Sequence, residues 1–216
     1  MNPFVLALSP QHIEYTNLKP DITHGAVDEL VATAIDRGYY GVCVPPFWVK
    51  RAKREIGTSG LQLITVAGYP IGYQMTETKE AEISSAIAMG ADEIDMVLNV
   101  SAVKSEMSWV KIEMARCAKL AHEHERILKV ILETSLLDKE EIRQVTRWAV
   151  DAGVDYIKTS TGFVGAGAQV EDVALIKSLV PDSVGIKASG GIRDIVKANE
   201  LLQAGADKIG TSSILI

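Results

Sequence analysis

Short apolar runs recur along the chain with longer amphipathic stretches between them, at intervals of roughly 20 to 35 residues, the spacing that βα units require. The runs predict eight strands, near His12–Tyr15, Gly41–Val44, Gln62–Ala67, Glu93–Leu98, Leu128–Leu132, Asp155–Lys158, Val184–Lys187 and Asp207–Gly210. The amphipathic pattern predicts helices most clearly over Thr76–Met89, Ser108–His122, Asp138–Asp151 and Gln169–Val180. An internal echo supports this phase. MGADEID, AGVDYIK and AGADKIG each set a helix-ending glycine before an acidic residue and a strand. Eight such units predict an α/β chain folded as one (β/α)8 barrel domain over residues 1–216.

In a barrel of this kind chemistry sits at the carboxyl ends of the strands, and phosphate is often held by the loops after strands seven and eight. At Val154–Phe163, VDYIKTSTGF reads as a short buried strand that ends in a loop. Lysine is almost never fully buried unless paired. Lys158 is therefore either a salt-bridged core lysine or a catalytic amine. A second run, VGIKASGG at Val184–Gly191, ends in Lys187. Side chains alternate along a strand, so Lys158 shares a face with Tyr156 and Lys187 with Gly185. On parallel neighbours about 4.8 Å apart, both amines project into one space. Adjacent ammonium groups repel, which lowers the pKa of at least one. A lysine deprotonated near neutral pH is what imine formation with a carbonyl requires.

Along strand four, Glu93, Asp95, Val97 and Asn99 share one face, and Ile94, Met96 and Leu98 take the other, against the helices. Asp95 inside a barrel needs a cationic partner, which the two lysines can supply. It is the candidate for proton transfer, with a structural ion pair as the alternative. On strand five Glu133 falls at the catalytic end and Lys129 near the opposite rim, where structural pairing is the better reading. Glu14, at the end of strand one, is open between a site carboxylate and a salt bridge. Cys43, with no paired histidine, reads as a small buried residue, and Gly68–Gly72 reads as a tight turn. Ser189, Gly190 and Gly191 precede a helix expected near Ile192, whose N–H groups would face an anion. Gly210, Thr211, Ser212 and Ser213 add donors after strand eight, and the two patches together predict a phosphate site. His122 and His124 read as a solvated helix end rather than a metal site.

Composition narrows the function further. With 216 residues and 47% hydrophobic content the chain suits one large core. A formal charge of −6 argues against nucleic acid as a partner, while leaving room for a locally held small anion. Cys43 and Cys117 are too few for a disulfide framework and fit a reducing cytosol. The apolar run Phe4–Leu8 has no basic segment before it and is too short for a signal or membrane helix, so a cytoplasmic protein with no membrane partner is expected.

As a set, VDYIKTSTGF, VGIKASGGIR, ADEIDMVLNV, LKVILET and IGTSS, with TVAGYPIG and LKPDIT around them, closely resemble the deoxyribose-phosphate aldolase family from about Ile13 to Ser213. The family's members are class I aldolases on a (β/α)8 barrel. The resemblance implies cleavage of 2-deoxy-D-ribose 5-phosphate to D-glyceraldehyde 3-phosphate and acetaldehyde, and the reverse condensation, with no metal or organic cofactor and as a homodimer. It also implies that Lys158 is the Schiff-base lysine, that Lys187 tunes it, and that Asp95 donates and accepts protons through water. Phosphate would lie at Gly162, Gly190, Gly191, Gly210, Ser212 and Ser213, with Thr161 near a substrate hydroxyl. The chain departs from the family's pattern in several places. Glu14, Tyr15 and Thr16 stand for the usual Asp-His-Thr, Pro45 for a frequent Asn, Tyr69 for a frequent Phe, and Phe163 where some members carry a phosphate-binding Lys. Two other readings stay open: a related Schiff-base aldolase with a different aldehyde preference, and a catalytically silent phosphosugar-binding barrel.

Overall fold

In the computed structural model, which describes residues 7–216, eight parallel strands close into a barrel in chain order. They are β1 (Ile13–Thr16), β2 (Gly41–Cys43), β3 (Gln62–Ala67), β4 (Glu93–Val97), β5 (Ile127–Ile131), β6 (Tyr156–Lys158), β7 (Gly185–Ser189) and β8 (Lys208–Thr211), and β8 pairs back onto β1. The helices are α1 (His24–Asp36), α2 (Val49–Ile56), α3 (Thr76–Ala88), α4 (Val100–Lys104), α5 (Trp109–His122), α6 (Lys139–Asp151), α7 (Val170–Lys177) and α8 (Ile195–Gln203). Of the apolar run Phe4–Leu8, the part up to Leu6 lies outside the described residues.

Local sequence explains most boundaries. Asp138 caps α6 by accepting from Glu141 N at 2.9 Å, and Glu141 returns the bond to Asp138 N at 2.7 Å. Helix α7 stops at Lys177, three residues before the expected Val180, because Pro181 disfavours helical backbone at the residue before it. Helix α8 starts at Ile195 and not near Ile192. Its cap is Asp194, whose carboxylate accepts from Lys197 N at 2.8 Å, so this helix does not offer its first N–H groups to an anion from Ile192.

The acidic residue of each internal echo has a defined task. Asp92, Asp155 and Asp207 accept the backbone N–H of Leu63, Leu128 and Ile186, at 3.0, 2.8 and 2.8 Å. Each carboxylate thus ties the start of its own strand to the start of the preceding one. The glycines before them, Gly90, Gly153 and Gly205, have φ of 103°, 78° and 113°, the left-handed turn that releases the helix.

Alternation along the strands sorts the interior. Ile94, Met96 and Leu98, with Val130, Ile157, Ile186 and Ile209, pack outward beneath the helices. Inside, Cys43, Ile64 and Val66 form a small apolar cluster under β2 and β3. The rest of the interior holds charge: Glu14, Glu93, Asp95, Lys129, Lys158 and Lys187 are all buried. Room for these long side chains comes from missing ones. A Cβ on Gly185 would lie 2.2 Å from Tyr156 Cε1, and one on Gly210 would lie 3.0 Å from Lys187 Cε.

Candidate active site

Strand register brings the charged side chains together. Lys158 lies opposite Lys187 across β6 and β7, and Asp95 opposite Lys129 across β4 and β5. Lys158 Nζ and Lys187 Nζ donate to the same oxygen, Asp95 Oδ2, at 2.8 and 2.6 Å. Lys129 Nζ reaches the other oxygen, Oδ1, at 3.2 Å. Lys187 has a second carboxylate partner in Glu14, and Lys129 has one in Glu93, which also accepts from the Tyr40 hydroxyl. Glu14 Oε1 lies 3.5 Å from Lys129 Nζ. Fully ionised, three lysines and three carboxylates cancel in formal charge, which is how so many buried ions can be tolerated.

The groups differ in how their neighbours treat a proton. Burial pushes the Asp95 carboxyl upward, but Lys129, Lys158 and Lys187 outweigh it and hold that carboxyl well below the usual range. Burial lowers Lys187 as well, yet Asp95 and Glu14 together hold its ammonium above the ordinary lysine value. Lys129 is held well above it, burial being overcome by Asp95, Glu14 and Glu93. Lys158 alone of the three is lowered. Burial is the chief cause, Asp95 opposes it, and the charge of Lys187 adds to it. Sequence reasoning predicted the direction through like-charge repulsion; the larger contribution is desolvation.

Lys129 is less remote than its expected position near the far rim suggested. It bonds Asp95 directly and completes the charged cluster from below. Burial by itself does not mark a nucleophile here, since Lys79 is also fully buried. Its amine is committed to Glu113 Oε1 at 2.7 Å and to Val97 O at 2.9 Å, outside the barrel between α3 and α5.

Above Lys158 a cavity of about 350 Å³ opens at the carboxyl ends of the strands. Of the residues expected to bind substrate and phosphate, Thr161, Gly162, Gly190, Gly191, Gly210 and Ser212 line it. Ser213 does not; its N–H donates to Thr211 Oγ1 at 3.0 Å. Gly162, Gly190 and Gly191 have φ of 85°, 88° and 72°. Backbones pack closely there, and a Cβ on Gly190 would stand 3.0 Å from Gly167 Cα. Lys19 and Arg193 also line the cavity and bring positive charge to its wall.

Two residues with a part in this site were not singled out for it from sequence. Tyr69, in the loop read as a simple turn, lines the cavity and donates its hydroxyl to Thr161 O at 2.7 Å, with Phe163 edge-on to its ring at 5.5 Å. An aromatic residue between two glycines at a strand's carboxyl end was the available signal. Glu133, expected only to sit at the catalytic end, holds Thr161 by both its N–H, at 3.2 Å, and its hydroxyl. Glu14 enters the cluster through Lys187, and Tyr15 reaches the cavity wall. Cys43 is fully buried, and burial pushes its thiol up to about 11. Among the described residues no group of His, Cys, Asp and Glu has the arrangement to hold a metal ion, and no helix is long and apolar enough to cross a membrane.

Comparison with known proteins matches residues 15–213 to DeoC, the DeoC/LacD family aldolase. The deoxyribose-phosphate aldolase of Brevibacillus brevis is 47% identical over 204 residues, covering 94% of this chain and 91% of that protein. That of Thermococcus kodakarensis is 43% identical, covering 94% and 92%. Among solved structures, the aldolase QR15 superposes with a TM-score of 0.88 at 40% identity, over 93% of this chain and 90% of that one. The deoxyribose phosphate aldolase of Aeropyrum pernix, described as tetrameric, superposes with a TM-score of 0.86 at 34% identity, over 93% and 85%.

Proposed function

The chain belongs to the DeoC/LacD aldolase family, and on that premise we propose that it is a class I aldolase that reversibly cleaves 2-deoxy-D-ribose 5-phosphate to D-glyceraldehyde 3-phosphate and acetaldehyde, with Lys158 as the Schiff-base lysine. One observation carries the assignment of the lysine: Lys158 and Lys187 share an oxygen of Asp95, and only Lys187 has a further carboxylate. Lys187 therefore keeps its proton, while Lys158, which lines the cavity, gives its proton up more readily.

The amine of Lys158 attacks the substrate aldehyde, water leaves, and an iminium forms beside Asp95. Its positive charge takes the place of the displaced ammonium, so the cluster returns to the balance of three positive and three negative groups. Cleavage of the carbon–carbon bond then sends electrons into the iminium, leaving an enamine on Lys158. Asp95 acts in this reading as the proton donor and acceptor, through water, for imine formation and at the enamine carbon, and it also orients both lysines. Asp95 Oδ2 accepts from both lysines, which places its carboxylate beside the imine-forming nitrogen. Gly162, Gly190, Gly191, Gly210 and Ser212 hold the phosphate, with Lys19 and Arg193 supplying charge. The reading extends to a cytoplasmic homodimer acting on small phosphosugars and aldehydes without metal or organic cofactor; light scattering on the purified protein tests the dimer.

Borohydride reduction in the presence of acetaldehyde, followed by peptide mapping, tests the central assignment. One ethyl group on Lys158 is the expected product. Label confined to Lys187, Lys129 or surface lysines overturns it.

A further inference from the structure

We propose that Thr161 and Glu133 form a proton relay, in which the Thr161 hydroxyl takes the proton from the substrate hydroxyl at the bond being broken and passes its own proton to Glu133. This rests on Lys158 being the imine-forming lysine. A retro-aldol step needs such an acceptor, because the carbinol carbon becomes a carbonyl only as its O–H proton leaves.

The geometry provides the path. Thr161 lines the cavity that Lys158 also lines. Its Oγ1 donates to Glu133 Oε2 and accepts from Phe163 N at 3.1 Å, which leaves one lone pair unused. The peptide is fixed on both sides: Glu133 Oε2 accepts the Thr161 N–H at 3.2 Å, and Tyr69 donates to the Thr161 carbonyl at 2.7 Å. Glu133 itself is buried at 2% exposure in a left-handed backbone conformation, φ 56°, which is uncommon for a residue other than glycine. Its second oxygen, Oε1, is buried without a hydrogen-bond partner. A carboxylate placed at such cost, with one oxygen uncommitted, is poorly explained as a brace alone.

Asp95 is committed to the lysines, Lys129 on Oδ1 and Lys158 with Lys187 on Oδ2. Glu133 differs in kind. Burial pushes its carboxyl above the usual range, the two hydrogen bonds from Thr161 and the charge of Lys158 working against that shift. The charged or titratable groups that face it are Lys158 from β6 and Tyr69 from the loop after β3.

The step balances. The carbon–carbon bond breaks and its electron pair enters the Lys158 iminium, giving the neutral enamine. The carbinol oxygen keeps its O–H electrons as the new carbonyl bond. The proton ends on Glu133, which goes from carboxylate to acid, so a cation and an anion become two neutral groups. In condensation the same proton returns.

Glu133→Gln tests the relay, because the amide can still accept from Thr161 but cannot take a proton. Acetaldehyde trapping at Lys158 should stay within about threefold of the parent protein, while kcat for cleavage falls about 100-fold or more, the range of general base catalysis. The acid limb of the kcat–pH profile should vanish with it, and Glu133→Asp should restore part of both. Cleavage within about threefold of the parent, or equal losses of trapping and cleavage, overturns the relay. If Glu133→Gln does not fold, Thr161→Ser against Thr161→Val decides: serine should cleave and valine should not, and equal cleavage by the two overturns the proposal. Absence of label on Lys158 in the parent protein would instead overturn the assignment of the Schiff-base lysine.

Discussion

Glu14 on β1 and Lys187 on β7 form an ion pair that reaches past β8, where the residue in register with Glu14 is Gly210. A Cβ on Gly210 would lie 2.9 Å from Ser189 Cβ and 3.0 Å from Lys187 Cε. The absent side chain thus lets Lys187 reach its second carboxylate. Gly210→Ala should displace that amine and lower kcat/KM by about tenfold or more, each tenfold being about 1.4 kcal/mol of lost transition-state stabilisation. Steady-state kinetics on the folded variant checks this, and an unchanged kcat/KM would separate Gly210 from the charge arrangement.

Lys158→Arg should abolish imine trapping at every accessible pH, because guanidinium stays protonated and is not a nucleophile. Lys187→Met should act differently. It removes a positive charge that lowers Lys158 and leaves the Oδ2 oxygen of Asp95, which raises it, to Lys158 alone. The amine then holds its proton more tightly. Trapping should fall near pH 7 and recover as the pH is raised. The loss at pH 7 should be partial, since burial is the larger cause of the lowering and survives the substitution. A pH profile identical to that of the parent protein would show that Lys187 acts by some means other than charge.

Gly191→Asp brings a carboxylate to the wall assigned to phosphate. Its φ of 72° is one that Asp accepts more readily than most side chains, although the new Cβ would stand 3.1 Å from Ala166 O. KM for the phosphorylated sugar should rise about tenfold or more, while kcat/KM for unphosphorylated deoxyribose stays within about threefold. Equal losses on the two sugars would point to a folding defect, which circular dichroism would detect separately.

Lys79→Met should separate structural from catalytic burial. It leaves Glu113 as an unpaired buried carboxylate, which typically costs about 3 to 5 kcal/mol, readable by urea unfolding. Acetaldehyde trapping in the remaining folded protein should still map to Lys158. Loss of trapping without loss of stability would mean that the Lys79–Glu113 pair acts on the site.

How far the sequence could be read follows from the range of the interactions. The strands were legible because each carries its own alternation. The same two-residue period placed Asp95, Lys158 and Lys187 inside, since it needs only local knowledge and a guess at which strands are neighbours. What escaped depends on closure. Glu14 meets Lys187 across 173 positions, and Tyr69 meets Thr161 across 92, so neither partner shows in the other's neighbourhood of sequence. The start of α8 was misplaced for a local reason: the small residues after β7 resemble a helix entry, but Asp194 is the residue that caps it. Glu133 gave almost no signal, because its left-handed backbone follows from the turn into Thr134 and is foreign to its residue type.

The three aspartate stitches at Asp92, Asp155 and Asp207 bear on how the chain is made. Each joins strands that follow one another in the chain, β3 with β4, β5 with β6, and β7 with β8. None needs the closing contact between β8 and β1. As the polypeptide emerges from the ribosome, successive pairs of strands can be fastened in order, each through a bond that alone contributes on the order of 1 kcal/mol but sets the register of the pair. Joining these pairs to one another and β8 to β1 is left to the strand ladders themselves.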